Sequence, residues 1–412
     1  MTALLADPVS EVVAAAERLL ERRTGAPVTL VDPVDLGGSG RTVVLRVRCA
    51  ANPFSLPRTL VIKQVRELSE VAHARSVAVY PDGTFGTPEA GTDGDTFGHG
   101  HEVRAEVADT AFLREAVSYQ FATALATDSR PGPSLIAYDL PARLLILTDL
   151  GDATPIARLL VRQDESAVTN SLMALAQSMG RMHAATVGRE EDFAALLRRS
   201  GVAQLGNAVS DQVTAGVPKV PGMLDRDLGV TVAPEVFEIA QRATSLFDGG
   251  RYRAFSPSDL CPDNIIVNDE GVRFLDYEWG GFRDATLDLA YALTSFPGCL
   301  CSFELSTQRS LAMIEAWRAE VVGMWPQLAD DRTLHSRLLD AQLVWVWLST
   351  QWFLPEDHTR IAAVREHQLS APRSKALTAR WRALGEFAEH AKVAAVADHA
   401  HDVAERLADV WA

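Results

Sequence analysis

Asp259 and Asn264 stand five positions apart in SPSDLCPDN (256–264), just before two short apolar runs, the second of which ends on Asp276. The runs, IIV and VRFL, flank NDEG, a hairpin signal whose glycine can supply a positive φ. A hairpin brings its ends together, so Asn264 is expected beside Asp276, with Asp259 on the loop just before. An amide oxygen and a carboxylate at the base of a hairpin suit a hard divalent cation such as Mg²⁺, which takes carboxylate, amide, phosphate and water oxygens. A carboxylate left off the metal, Asp259, can orient an acceptor hydroxyl and take its proton. Any one of these residues alone would read as a turn or cap. The ordered set is what points to chemistry.

A D-x-x-x-x-N spacing followed by a metal-binding aspartate is the catalytic arrangement of protein kinases. The longer stretch SDLCPDNIIV…FLDYEWGGFRDATLDLAY resembles the catalytic segment of the aminoglycoside phosphotransferase and choline kinase family. Members carry H-G-D-x-x-x-x-N, an apolar hairpin, I-D-[FW]-E and D-L-A. Here the Asp, the Asn, the hairpin, LDYE and DLA are present, but Pro257-Ser258 stands in place of His-Gly. In kinase-like folds that histidine mainly supports the loop, so its loss bears on loop geometry and rate more than on reaction type. A protein kinase is the weaker match, because FRDATLDLAY follows Asp276 closely and no A-P-E segment is recognisable.

The resemblance implies a bilobal, protein-kinase-like α+β fold: a small mixed antiparallel-sheet N-lobe and a larger, mostly helical C-lobe. It also implies a nucleotide site upstream of the catalytic segment. Gly37, Gly38, Ser39 and Gly40 form a glycine turn between two strand patterns, where backbone can approach a triphosphate. Lys63 in LVIKQ follows on the next strand, as the ATP lysine does in VAIK, and Glu115 in AFLREAVSYQF has the place of its helix partner. Thr148, Asp149 and Leu150 in RLLILTDLGD resemble the family's hinge, which offers backbone groups to the base. His183 in MGRMHAAT matches a helix ending where histidine is structural.

These groups need elements to hold them. An apolar stripe of Val12, Val13, Ala16, Leu19 and Leu20 predicts a helix opening at Asp7-Pro8. Val/Leu/Thr-rich segments at 28–49 and 58–65, and again at 134–139 and 143–150, predict strands, with a helix over 109–126 between them. Residues 81–101, rich in Gly, Asp, Thr and Pro, read as a flexible loop. Beyond 155 helical patterns dominate, including an alanine-rich run over 373–411. The expected division is therefore 1–150, a nucleotide-binding lobe with an N-terminal helix, and 151–412, a helical lobe with the catalytic loop and acceptor site.

A formal charge of −15 and a pI near 5.1 disfavour nucleic acid and anionic membrane as partners. The four cysteines lack paired metal-type spacing and read as reduced thiols of a cytoplasmic protein. Apolar windows such as QLVWVWLSTQWFL fall short of the roughly 20 residues of a membrane span.

The leading expectation is a Mg²⁺-dependent kinase that moves the γ-phosphoryl group of ATP or GTP to a small hydroxyl-bearing molecule, with Asp259 as base. An antibiotic, sugar, amino alcohol or nucleoside-like metabolite are all open as acceptor. Glu278 and Trp279 follow Asp276 closely enough to face it, and Trp345 and Trp352, seven apart on one helix face, can hold a cation or stack on a ring. Tryptophans at such spacing are more often core. The competing expectation, resting on Pro257-Ser258, is a nucleotide-binding pseudokinase that senses or regulates.

Overall fold

A computed structural model describes residues 8–38, 42–50, 56–66, 78–79, 85–86, 97–162, 164–201, 208–355 and 367–411. The predicted stripe forms α1 (Pro8–Thr24), which buries Val12, Ala16, Leu19 and Leu20. Three strands follow, β1 (Leu30–Gly37), β2 (Thr42–Cys49) and β3 (Thr59–Val65). A short pair, β4 (Ala78–Val79) and β5 (Phe85–Gly86), comes before the long helix α2 (Phe97–Thr123). The lobe ends with β6 (Leu135–Asp139) and β7 (Leu144–Thr148).

The main sheet runs β1-β2-β3-β7-β6 with every neighbour antiparallel. Period-2 alternation gives it two apolar faces. Leu45, Val47, Leu60, Ile62, Leu144 and Ile146 pack with α1 in one core, while Leu145 and Leu147 join the large core that also holds α2 and the helical lobe. Lys63 lies on β3 between inward-facing Ile62 and Gln64, so its side chain leaves the sheet on the face away from α1.

The rest of the chain is mostly helix. It begins with β8 (Thr154–Pro155), α3 (Ile156–Leu160), α4 (Glu165–Thr186), α5 (Glu190–Arg199), α6 (Ala208–Gly216), α7 (Val220–Leu228) and α8 (Pro234–Ala243). Four short strands then interrupt the helices: β9 (Arg253–Ser256), β10 (Ile265–Asn268), β11 (Gly271–Phe274) and β12 (Gly281–Asp284). The chain closes with α9 (Thr286–Leu293), α10 (Thr307–Val321), α11 (Asp331–Phe353), α12 (Arg373–His390) and α13 (Ala394–Val410). This is the bilobal α+β organisation expected from the sequence. Among the described residues no helix is long and apolar enough to cross a membrane.

Three details correct the sequence reading. Phe85–Gly86 is a strand paired to Ala78–Val79, and α2 already begins at Phe97, so 81–101 is not one loop; 80–84 and 87–96 lie outside the described residues. A helix extends at its end for one residue's ordering per bond gained, so Gly98 and Gly100 are carried along by the stronger formers behind them. The run 373–411 is two helices, broken where Lys392 takes φ +60°. And the apolar core does not divide at residue 150, because α2 contributes Phe112, Val117 and Phe121 to the core of the helical lobe.

Candidate active site

The catalytic-type segment is held between two small sheets. β10 and β11 form the predicted hairpin, pairing Ile265 with Phe274 and Asn268 with Gly271, whose φ is +108°. Because the hairpin closes, Leu275 N–H donates to Asn264 C=O at 2.8 Å, which sets Asn264 directly beside the approach to Asp276. β9 pairs with β12, Gly281 opposite Ser256, and launches the loop that carries Asp259. Asn264 Nδ2 donates to Asp259 Oδ2 at 2.8 Å. That spends the amide nitrogen on the candidate base and leaves the amide oxygen of Asn264 for a cation.

Lys63 joins the two lobes. Its ammonium reaches Glu115 Oε1 at 2.6 Å and Asp276 Oδ1 at 2.7 Å. Glu115 is 1% exposed, and Tyr277 N–H donates to it, so helix α2, strand β3 and the post-hairpin segment meet at one point. Tyr119, one turn along α2, accepts the Asp276 N–H at 3.1 Å and stacks on Tyr277 with ring centroids 4.3 Å apart. Asp276 itself sits at φ +60°, a left-handed conformation that aspartate tolerates better than most residues.

The charges here are mutually dependent. Burial alone lowers a lysine, but Glu115 and Asp276 outweigh it and hold Lys63 protonated far above its ordinary range. Burial, moderated by Lys63, pushes Glu115 up to about 7. Burial and then the Asp276 charge push Asp259 up to about 6. The same two causes in the same order push Glu278, which accepts a hydrogen bond from Trp279 Nε1 at 3.0 Å, up to about 8. One lysine thus faces several carboxylates, and the surplus of oxygen donors is chemically suited to a hard divalent cation.

Around Pro257-Ser258, where relatives carry His-Gly, a buried network holds the loop. Asp288, the aspartate of DLA, is fully buried and accepts from Ser256 Oγ at 2.8 Å and from Arg283 Nε at 2.9 Å. His183 supplies a third bond at 3.0 Å, and Trp317 Nε1 donates to His183 Nδ1 at 2.9 Å, which makes Nε2 the protonated nitrogen that faces Asp288. The same partners grip the loop backbone: Ser258 N–H donates to Ser256 Oγ at 2.9 Å and Arg283 donates to Ser258 C=O at 3.3 Å. The structural role expected of His183 is what it has. Ser256 and Arg283 went unnoticed in the sequence: Ser256 reaches Asp288 through the β9–β12 pairing, and Arg283, five residues before Asp288, belongs to no motif that marked it.

Ser258, at the family's glycine position, adopts φ +69°. Since both of its loop contacts are made by its backbone, Ser258→Gly keeps them and removes the left-handed cost of a Cβ, against the larger chain entropy of glycine when unfolded. The net expectation is a gain of about 0.5–1 kcal/mol, read from the urea midpoint. A loss of stability would show that the serine side chain holds the loop.

Other expected residues fall as follows. Gly37 has φ +90°, and a Cβ on Gly38 would meet Thr42 O at 2.1 Å, so the β1–β2 turn requires glycine; Ser39 and Gly40 lie outside the described residues. Thr148 ends β7, with Asp149 and Leu150 in the linker to β8. Arg46 of β2 pairs with Asp149 at 3.0 Å, and Asn268 donates to Leu150 C=O at 2.8 Å, so the linker is tied to both lobes. Trp345 is corrected: it is 2% exposed, donates to Leu287 C=O at 2.9 Å, and its face is already taken by Arg283 at 5.7 Å. The helix around Trp345 is buried on nearly all sides, so that ring presents no face to a ligand. Trp352 is half-buried and packs on the same core.

No protein-family model matches the chain, and no curated protein matches it. Among solved structures it is similar to a choline kinase from Cryptosporidium parvum, at 9% identity over 93% of this chain and 97% of that one, with a TM-score of 0.47. A choline kinase from Streptococcus pneumoniae matches at 10% identity over 91% and 99%, TM-score 0.39. The APH(2″)-IIa ternary complex with streptomycin and ATP matches at 12% identity over 85% and 97%, TM-score 0.41. These are the classes that the 259–290 motifs resemble, but likenesses so distant assign no chemistry. That has to come from the side chains.

Proposed function

We propose that the protein is a small-molecule kinase that transfers the γ-phosphoryl group of ATP or GTP to a hydroxyl of a metabolite or antibiotic. The observation that carries this reading is the Lys63 ammonium bonded at once to Glu115 and Asp276, beside the loop that presents Asp259 to Asn264. Lys63, aligned by Glu115, neutralises the α- and β-phosphate oxygens, under the glycine turn at 37–40. The linker at Thr148, Asp149 and Leu150 borders the nucleotide base. Asn264 and Asp276 hold Mg²⁺ through oxygen atoms. The ion these two residues would hold would supply positive charge against the phosphates.

Asp259 orients the acceptor hydroxyl and takes its proton as the new oxygen–phosphorus bond forms, the leaving electrons staying with the nucleoside diphosphate. Its elevated pKa of about 6 brings it nearer the proton it accepts than an ordinary carboxylate. Glu278 and Trp279 border the acceptor. Alignment and charge neutralisation supply most of the rate.

The competing reading, a nucleotide-binding pseudokinase, rests on Pro257-Ser258 and the left-handed Ser258. The Ser256–Arg283–Asp288 network favours the enzyme, because it gives the loop the support that the absent histidine would have given. ATP and GTP consumption with a pooled library of hydroxyl-bearing metabolites separates the two. Acceptor-dependent turnover supports the kinase; tight Mg-nucleotide binding with no turnover on any acceptor leaves the binding module. Asp276→Asn is expected to abolish the Mg²⁺-dependence of nucleotide binding in a calorimetric titration, and an unchanged Mg²⁺-dependence would remove Asp276 from the metal.

A further inference from the structure

Three of the four cysteines, distant in sequence, gather behind the catalytic-type loop. Cys299 and Cys301 follow α9 on a turn where Ser295 and Phe296 both take positive φ, 58° and 54°. Their sulfurs lie 3.0 Å apart. Residues 300–302 pair with 369–371 through Ser302 N–H to Leu369 C=O and Ala371 N–H to Leu300 C=O, each 3.0 Å, which carries His367 to the sulfurs. The ligand atoms of Cys299, Cys301 and His367 all lie within 4.8 Å of one another. Cys261, two residues beyond Asp259, hydrogen bonds Cys299 and, at 3.2 Å, Tyr291 Oη; its sulfur lies outside the set of ligand atoms that are all within 4.8 Å of one another.

Two buried groups border this cluster. His367 Nδ1 accepts the Leu369 N–H at 3.1 Å, which leaves Nε2 to bind something else, and Nε2 is buried with no hydrogen-bond partner. Arg380 is 0% exposed, and among the described residues its partners are Ser349 Oγ and the carbonyls of Phe296, Cys299 and Cys301, with no carboxylate. A buried guanidinium facing only neutral groups calls for an anion nearby. Neutral thiols leave Nε2 without an acceptor of suitable geometry, while the negative charge beside Arg380 falls to Cys301, which burial alone would raise but which Cys299, His367 and the Arg380 charge hold down to about 5. A Cys299–Cys301 disulfide supplies neither acceptor nor charge.

We infer that Cys299, Cys301 and His367, with Cys261 as fourth ligand, form a Zn²⁺ site. Three thiolates and a neutral imidazole around Zn²⁺ carry a net charge of −1, which Arg380 balances, and His367 Nε2 gains its partner. Tetrahedral zinc sets sulfurs about 3.8 Å apart, so the Cys299–Cys301 pair, at 3.0 Å, has to open by about 0.8 Å, and Cys261 has to turn from Tyr291 toward the other three ligands. With all four positions filled by protein the site is structural. It fastens the loop bearing Asp259 to the 295–301 turn and the 367–371 segment, and it stands whether or not the protein is a kinase.

The test uses the full chain, produced in zinc-supplemented medium without added oxidant. Metal analysis is expected to return close to one zinc per chain, and Co²⁺ added to the metal-free protein is expected to produce thiolate-to-cobalt charge-transfer absorption. Cys301→Ser and His367→Ala each lose stoichiometric zinc, while Cys49→Ser, in the other core, keeps it. Chelation lowers the melting temperature of the wild type, and zinc restores it. The wild-type cobalt spectrum needs no variant to fold. Zinc far below stoichiometric with no charge-transfer band overturns the site, as does a Cys299–Cys301 disulfide in peptide mass spectra of the protein as purified.

Discussion

Asp259→Ala is expected to lower kcat for phosphoryl transfer by about 10²–10⁴-fold while Mg-nucleotide affinity stays at the wild-type level. The separation follows from the geometry. Asp259 bonds Asn264, but it makes no bond to Lys63, whose two carboxylate partners are Glu115 and Asp276. Removing it deletes the proposed proton acceptor and leaves the groups proposed for phosphates and metal. Asp259→Asn is the sharper variant, since the amide keeps the shape and can no longer take a proton. Steady-state turnover on any acceptor found, together with a nucleotide titration, checks both parts. A variant that turns over normally would remove Asp259 as base, and one that loses nucleotide as well would mean that the residue belongs to the metal site.

The largest effect on stability is expected at a residue that touches no substrate. Asp288→Ala strips the carboxylate from buried Arg283 and from His183, and breaking a buried ion pair from one side costs about 3–5 kcal/mol. Burial by itself would raise the Asp288 pKa, but Arg283 first and His183 next more than reverse it and hold it below the usual carboxylate range. The sign follows: a folded-state pKa below the unfolded one gives stability that is present above about pH 4 and is lost as pH falls further. The wild type should therefore lose more stability than Asp288→Ala on going below about pH 4. Urea denaturation at neutral and acid pH measures both quantities. A cost under about 1 kcal/mol would mean that the network does not anchor the loop. Because Arg283 and Ser256 also hold the Ser258 backbone, surviving Asp288→Ala protein should turn over more slowly without a matching change in nucleotide affinity.

The contrast between these two aspartates marks how far the chain could be read without coordinates. Asp259, Asn264 and Asp276 were legible because a short hairpin converts a local spacing into a spatial one, and Gly271 signals where it turns. Lys63 and Glu115 were legible by order along the chain, and the pair closes at 2.6 Å although the two residues lie 52 positions apart. Strands β1 to β3, β6 and β7 announced themselves by their content of Val, Leu and Thr, and α1 by its stripe. Trp345 was ambiguous for a physical reason. A ring that packs on Phe247 and Tyr291 has the same spacing as one that faces a ligand, and only its 2% exposure decides.

Local pattern, then, was enough for the two lobes, the hairpin and the ordered set of charged residues, because each depends on near neighbours or on period. Contacts between distant segments were not. Pairing of β9 with β12 brings Ser256 to Asp288, and the bridge between 300–302 and 369–371 brings His367 to Cys299 and Cys301. No spacing encodes such meetings, since they arise from how separate elements pack rather than from the sequence between them. Pro257-Ser258 therefore read as a loss in the sequence alone, and only the tertiary structure supplied the buried carboxylate that holds the loop in the absence of His-Gly.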